Sequence, residues 1–422
     1  MQCLIDQVMP NMSTLPSQSS PRMGEFIAMM ALMTSLVAMS IDLMLPALSS
    51  IGHELGAPHA NANQLVVTMV FVGLAIGQLL YGPLSDSIGR KAAIYLGFTV
   101  FIIGSALTII AINFPMMLAG RLLQGLGVAG PRVVSMALIR DRFSGRAMAR
   151  VMSFIMVVFI IVPIIAPAVG QAILLVAAWR MLFVTLLVLG IVSLLWFGLR
   201  QPETLPAAQR TPLSPQRIGR AFRAVVSHPI ALGYTLMAGV ISAILQSYLS
   251  SAQQIFQEQY ALGTLFPLFF AGNALAIGLA SFVNGRLVMR YGMRSLIGNA
   301  LLVLIGLTLT LAGIAVVTHG QPSLWVLMAA LMPSFFCLGI LFGNMNAMAM
   351  EPLGHVAGTG AAVVGSLSTF VAIPIATIIG QAYNGTIIPL ALGFAVLALS
   401  AFGLMRWADG RQHRVVDPES VA

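Results

Sequence analysis

Gly82-Pro83-Leu84-Ser85-Asp86-Ser87-Ile88-Gly89-Arg90-Lys91 lies between two apolar runs, each long enough to cross a bilayer. A turn between spans needs only residues that tolerate tight backbone geometry and water. This one also holds an acid and an Arg-Lys pair at fixed spacing, in a chain with only 8% charged residues. Opposite charges spent so sparingly point to a built charge network rather than a passive loop.

The composition around it sets the class. Hydrophobic residues make up 59% of the 422 residues, and the mean hydropathy is +0.95. Soluble domains carry about 25% charged residues, so an ordinary soluble globule is excluded. The ten-residue alternation of a transmembrane β-barrel is absent. Reading windows of roughly 20 apolar residues gives twelve spans, the first at 25–48 and the last at 387–406. The expected fold is therefore an all-α membrane protein with twelve transmembrane helices. The net charge of +9 comes from bases scattered between apolar runs, which reads as a topology signal and not as a nucleic-acid surface. With the N-terminus placed in the cytoplasm, eighteen Lys and Arg residues fall on that side and only Arg180 on the other. Both termini are accordingly expected to be cytoplasmic.

Residues 1–24 are polar and lack the basic-then-apolar pattern of a cleaved signal. They read as a disordered extension, with Met23 an alternative start. Cys3 and Cys337 suggest neither a disulfide framework nor a metal site, and the histidines are dispersed in or near loops. No phosphate-binding loop of the G-x-x-x-x-G-K-[ST] form occurs, so this chain shows no means of using ATP itself. Gly125-Leu126-Gly127-Val128-Ala129-Gly130 matches G-x-G-x-x-G, but inside a membrane span it reads as close helix packing.

The decapeptide has a degenerate copy. Gly82, Leu84, Gly89 and Lys91 align with Gly285, Leu287, Gly292 and Arg294 at an offset of 203, which also carries the start of the first span onto the seventh. The chain thus divides into a six-helix bundle at 25–199, a Pro- and Arg-rich cytoplasmic linker at 200–228, a second bundle at 229–406 and a tail at 407–422. Two pseudo-symmetric bundles are the plan of many secondary transporters. The acid is lost in the copy, where Met289 stands in place of Asp86.

Candidate chemistry concentrates in the first half. Asp42 is a carboxylate well inside a span, where burial costs about 2.5–3.5 kcal/mol on insertion scales. Two readings stay open: a site that exchanges protons or binds a cation, and a structural acid that only forms hydrogen bonds. Arg121 and Arg132 lie eleven residues apart in the fourth span, within about 20° of one helix face. With Gln124 and Ser135 they form a polar stripe that must point inward. Arg121 is a candidate partner for Asp42 or a structural ion-pair former; Arg132 either lines a cavity or snorkels to the interface. Pro163, Ala166, Pro167 and Gly170 suit a hinge or a sealing contact between the halves, or a passive kink. The second half offers Tyr234, Gln246, Tyr248, Asn273 and Asn344 among methionines and aromatics, a lining for a bulky, largely apolar ligand or plain helix packing. Glu25, Glu258 and Glu351 stand near span ends and read as solvated.

Gly82–Lys91 resembles the signature loop of the major facilitator superfamily, G-x-L-x-D-x-x-G-R-K, at every position. Other features are similar to the drug:H⁺ antiporter branch, particularly the Bcr/CflA-like exporters. Asp42 with Pro46 resembles its first-span motif. Leu118, Arg121, Gln124, Gly125 and Gly127 resemble its fourth-span motif, and Pro163, Ala166, Pro167 and Gly170 its antiporter motif. The chain departs from that last motif at Ala166 and Gln171, and it has Thr34 where some relatives carry a second acid. The resemblance implies a transporter and not an enzyme: a proton-coupled exporter of small, largely apolar compounds in a bacterial inner membrane, working by alternating access. It implies no cofactor beyond the proton gradient, a lipid bilayer, a small molecule and protons as partners, and a monomer. Asp42 and Arg121 would couple protons, while Gly82, Asp86, Gly89, Arg90 and Lys91 would gate the cytoplasmic side. An importer of metabolites and a non-transporting membrane sensor are the competing expectations.

Overall fold

A computed structural model describes residues 21–416. Residues 1–20 and 417–422, which include most of the expected extension and part of the expected tail, lie outside the described residues. Helices dominate, because inside a bilayer each span must satisfy its own backbone hydrogen bonds. The first half contains α1 (Met23–Asp42), α2 (Leu48–Leu55), α3 (Leu65–Ile88), α4 (Arg90–Ile109), α5 (Phe114–Arg142), α6 (Gly145–Val176) and α7 (Arg180–Arg200). The connection holds α8 (Pro215–Ser227). The second half contains α9 (Pro229–Gln253), α10 (Phe266–Tyr291), α11 (Met293–Val317), α12 (Leu324–Met350), α13 (Ala357–Gln381) and α14 (Ile388–Val416).

Among the described residues, twelve helical segments are long and apolar enough to cross a membrane, with α1 and α2 forming one broken span. The break replaces the continuous helix expected over 25–48. Pro46 lacks an N–H, and its ring excludes the carbonyl four residues back, which belongs to Asp42. The chain passes through a 3₁₀ turn at Leu45–Ala47 before α2 resumes. By contrast, α6 stays helical through both Pro163 and Pro167.

The repeat is visible in the backbone. Gly89 joins α3 to α4 at φ +101°, and Gly292 joins α10 to α11 at φ +75°. Both lie where a side chain would strain the chain, so the copied loop retains the conformation although it has lost its acid. In each half two helices sandwich a third: α3 and α4 on α5, α10 and α11 on α12. The halves meet along α3–α13 and α6–α10, a pair related by the same pseudo-symmetry. The G-x-G-x-x-G stretch is a packing surface: a methyl on Gly125 would lie 2.1 Å from the Val70 carbonyl, and one on Gly127 2.2 Å from the Phe101 nitrogen.

One end of the bundle collects the arginine-bearing connections and is called the basic end; the Leu45–Gln64 and Gln381–Ile388 connections occupy the far end. At the basic end each half staples its first helix to its last. Arg200 donates to Glu25 at 2.6 Å, aided by Trp196, so Glu25 is paired and not simply solvated as expected. In the second half Tyr234 donates to Asp409 at 3.0 Å, with Arg294 3.8 Å from the same carboxylate. Asp409 is available because α14 continues well past residue 406, into the stretch expected to be a tail. The linker is also ordered: α8 buries Ala221 and Val225 against α9 and α13 and exposes Arg220 and Arg223.

Candidate functional site

The break after Asp42 organises the centre of the first half. A helix end leaves carbonyls without intrahelical donors, and Arg121 takes one of them. Its Nη2 donates to Ser40 O at 2.6 Å, its Nε to Val66 O at 3.0 Å and its Nη1 to Gln124 Oε1 at 2.6 Å. The guanidinium also lies over the Phe183 ring, 5.6 Å from its centroid. Fully buried, it caps the C-terminus of α1, where a cation opposes the helix dipole. Arg121 and Asp42 do not form the expected ion pair. Gln124, expected in the cavity wall, is fully buried and spans from Arg121 to Ser105 Oγ at 2.9 Å.

Asp42 is 4% exposed, and among the described residues it has neither an ion-pair partner nor a hydrogen-bond partner on its side chain. Its neighbours are tightly set. A methyl on Gly170 of α6 would lie 2.0 Å from the carbonyl of Leu43, so only a glycine lets α6 reach the break. Across the seam, α9, which carries Tyr248, packs against the Leu45–Ala47 turn that follows Asp42. Asn273 of α10 donates to the Tyr248 hydroxyl at 2.9 Å, and Phe335 meets its ring at 4.6 Å between centroids. The Asn273 Oδ1 is buried without a partner, and Gln246 is buried on α9 nearby in sequence.

The structure moves two further candidates out of the cavity. The hydroxyl of Tyr234 belongs to the basic-end staple on Asp409. Asn344 is committed inside the second half, donating to Asn284 Oδ1 at 2.8 Å and to Ile340 O at 3.0 Å. Arg132 stays half-buried and has no hydrogen-bond or ion-pair partner among the described residues. Because α5 runs on to Arg142, the helix end is about 15 Å away at 1.5 Å per residue.

The signature loop forms a closed charge network with residues from α5 and the linker. Arg90 Nη1 donates to Asp86 Oδ1 at 2.5 Å and to Ser85 Oγ at 2.7 Å, while its Nε reaches Asp141 Oδ2 at 3.0 Å. Gly89 offers no side chain to cap α4, so Glu203 supplies the cap from the linker. Its two oxygens accept from the backbone N–H groups of Arg90 and Lys91, both at 3.0 Å. Lys91 Nζ donates to Gly198 O at 3.0 Å, and the Thr211 N–H donates to Asp86 O at 2.9 Å. Losing a cap of this kind costs about 1 kcal/mol. Glu203→Ala is therefore expected to raise trypsin cleavage at Arg210 about five-fold. Unchanged cleavage would show that the linker is held by other contacts.

Neutral amides close the far end between the halves. Gln64 Nε2 donates to Gln254 Oε1 at 2.6 Å and to Gly380 O at 2.9 Å. Gln254 Nε2 returns to Asn61 Oδ1 at 3.0 Å, and Asn61 Nδ2 donates to Gln381 O and Tyr383 O at 3.0 and 2.8 Å. Gln254 opens a π-helical turn, Gln254–Gln259, that extends α9. Such turns recur at functional positions.

Twelve spans in two repeated halves, with polar groups buried at the seam, define a multi-pass membrane transporter and not an enzyme. The chain belongs to the Major Facilitator Superfamily, which matches residues 30–377. It is 30% identical to an uncharacterized MFS-type transporter, YdgK of Bacillus subtilis, over 91% of this chain and 96% of that one. It is 27% identical to a bicyclomycin resistance protein homolog of Haemophilus influenzae over 81% and 85% of the two chains. It is 30% identical to the multidrug resistance protein MdtL of Escherichia coli over 46% and 49%. The fold resembles the crystal structure of the human organic anion transporter MFSD10, with a TM-score of 0.67, 19% identity and coverage of 92% and 100%.

Proposed function

We propose that this protein is a proton-coupled antiporter that exports small, largely apolar organic compounds, drugs among them, across a bacterial inner membrane. Its basic end would face the cytoplasm, as the positive-inside rule requires. The similarity to a bicyclomycin resistance homolog and a multidrug resistance protein supports the substrate class. The observation that carries the coupling is the Asp42 carboxylate, buried and unpartnered at a helix break facing the seam. An ionised carboxylate there costs far more than a neutral one, so the group is suited to exchange a proton as access alternates. Arg121 acts by position: it holds the broken end of α1 against α3 and α5 and so fixes where Asp42 sits.

In the conformation described, the far-end amides are joined, so substrate would enter from the basic end. Protonation of Asp42 from the far side would require that latch to part. The signature network and its Glu203 cap do no substrate chemistry; they set the stiffness of the basic end. Both halves of the pathway lie in one chain, which suffices as a monomer. The test is purified protein in liposomes with an imposed pH gradient and a panel of neutral, anionic and cationic aromatic compounds. Antiport predicts accumulation on the acidic side, with proton movement evoked by substrate. Accumulation on the alkaline side would make the chain an importer. Absence of any substrate-evoked proton movement would remove the coupling reading.

A further inference from the structure

We infer that the transported compound carries a carboxylate on its apolar body and that Arg132 is the residue that binds it. This rests on the reading of the chain as an exporter of small organic molecules and narrows its substrate class. The two arginines of α5 differ in one decisive respect. Arg121 is fully buried and its donors are taken by Ser40, Val66 and Gln124. Arg132 points in nearly the same direction, keeps accessible surface and is bonded to nothing among the described residues.

No described carboxylate is paired with it. Among the described carboxylates, Asp86 and Asp141 hold Arg90, Glu25 holds Arg200, Glu54 holds Arg180 and Asp409 faces Arg294. Glu203 caps α4. Asp42 lies at the level of Arg121, about 16 Å along the helix axis from Arg132. A guanidinium within a span that is paired with no described group calls for a counter-charge from outside the protein.

The position suits a ligand. Val133, the next residue, lies beside the α3–α13 seam: a methyl on Gly82 would meet Val133 at 4.0 Å and Ala362 of α13 at 3.6 Å. Val133 and Met136 of the same stretch of α5 are half-buried apolar side chains, surface that the remainder of the molecule could use. The planar fork of arginine matches a carboxylate in a bidentate pair, which an ammonium does not. Exchanging one such anion for one inward proton moves two charges in the same electrical sense, so a membrane potential negative inside would drive export.

The experiment measures equilibrium binding to the full chain in phosphatidylcholine nanodiscs. The probes are 4-phenylbutyrate, 2-naphthoate and decanoate, each against its own neutral primary amide. At least one acid is expected to bind about ten-fold or more tightly than its amide. R132Q should bring that acid to the level of the amide and leave the amide within about two-fold, and R132K should retain part of the preference. No preference in any pair, or a preference that survives in R132Q, overturns the assignment. So does loss of the preference when phosphatidylglycerol is added, which would make Arg132 a lipid headgroup site. If R132Q does not fold, R132K decides: a preference equal to the wild type overturns the assignment, and a reduced one supports it. Acid-selective binding without proton-linked transport would keep the anion site and remove the exporter reading. Proton-linked export of the amides with no acid preference would do the reverse.

Discussion

Asp42→Asn is expected to abolish uphill export while leaving substrate exchange at equal pH near the wild-type rate. A one-proton antiporter working against a gradient of one pH unit can sustain about a ten-fold accumulation ratio, since one unit is worth about 1.36 kcal/mol. An amide of the same size cannot take or release the proton, so the ratio should fall to unity. Exchange of one substrate molecule for another needs the same access change but no net proton transfer, and it should persist. Because Asp42 has no partner to lose, the substitution removes a desolvation cost without orphaning a base. The variant should therefore unfold at or above the wild-type temperature. Liposomes in which the D42N variant still accumulates substrate against the pH gradient would take the proton role away from this residue.

The twelve spans and the repeat are legible because lipid enforces long apolar helices and because Gly89 and Gly292 must hold one backbone conformation. Side-chain partnerships are less so. Arg121 reads as the natural mate of Asp42 because sequence displays charges and hides carbonyls; its partners are the Ser40 carbonyl at the broken end of α1, the Val66 carbonyl of α3 and the Gln124 side chain. Tyr234 and Asn344 read as cavity residues only while Asp409 and Asn284 remain unlocated across the bundle. The Glu203 cap leaves a trace in the sequence, since a helix beginning at Arg90 after a glycine lacks a local cap. The far-end latch leaves none: Asn61, Gln64, Gln254 and Gln381 are unremarkable polar residues until folding brings them together.

Gly170→Ala is expected to reduce transport at least ten-fold through a single methyl. That methyl would lie 2.0 Å from Leu43 O, a backbone atom with no rotamer to yield. Relief requires α6 to move away from the break by more than an ångström, and overpacking of this kind costs about 1–3 kcal/mol. The displaced element is the residue next to Asp42, so the damage falls on the coupling site as well as on the fold. Gly306→Ala makes the proper comparison, because its methyl would meet nothing within 4 Å. In the interior of α11 the same change should be neutral, or stabilising by up to about 1 kcal/mol through helix propensity. Unfolding temperature and transport measured on both variants separate close approach from any general intolerance of alanine. Wild-type transport in Gly170→Ala would mean that α6 does not need to reach the break, and that the seam between α1 and α6 is no part of the transport cycle.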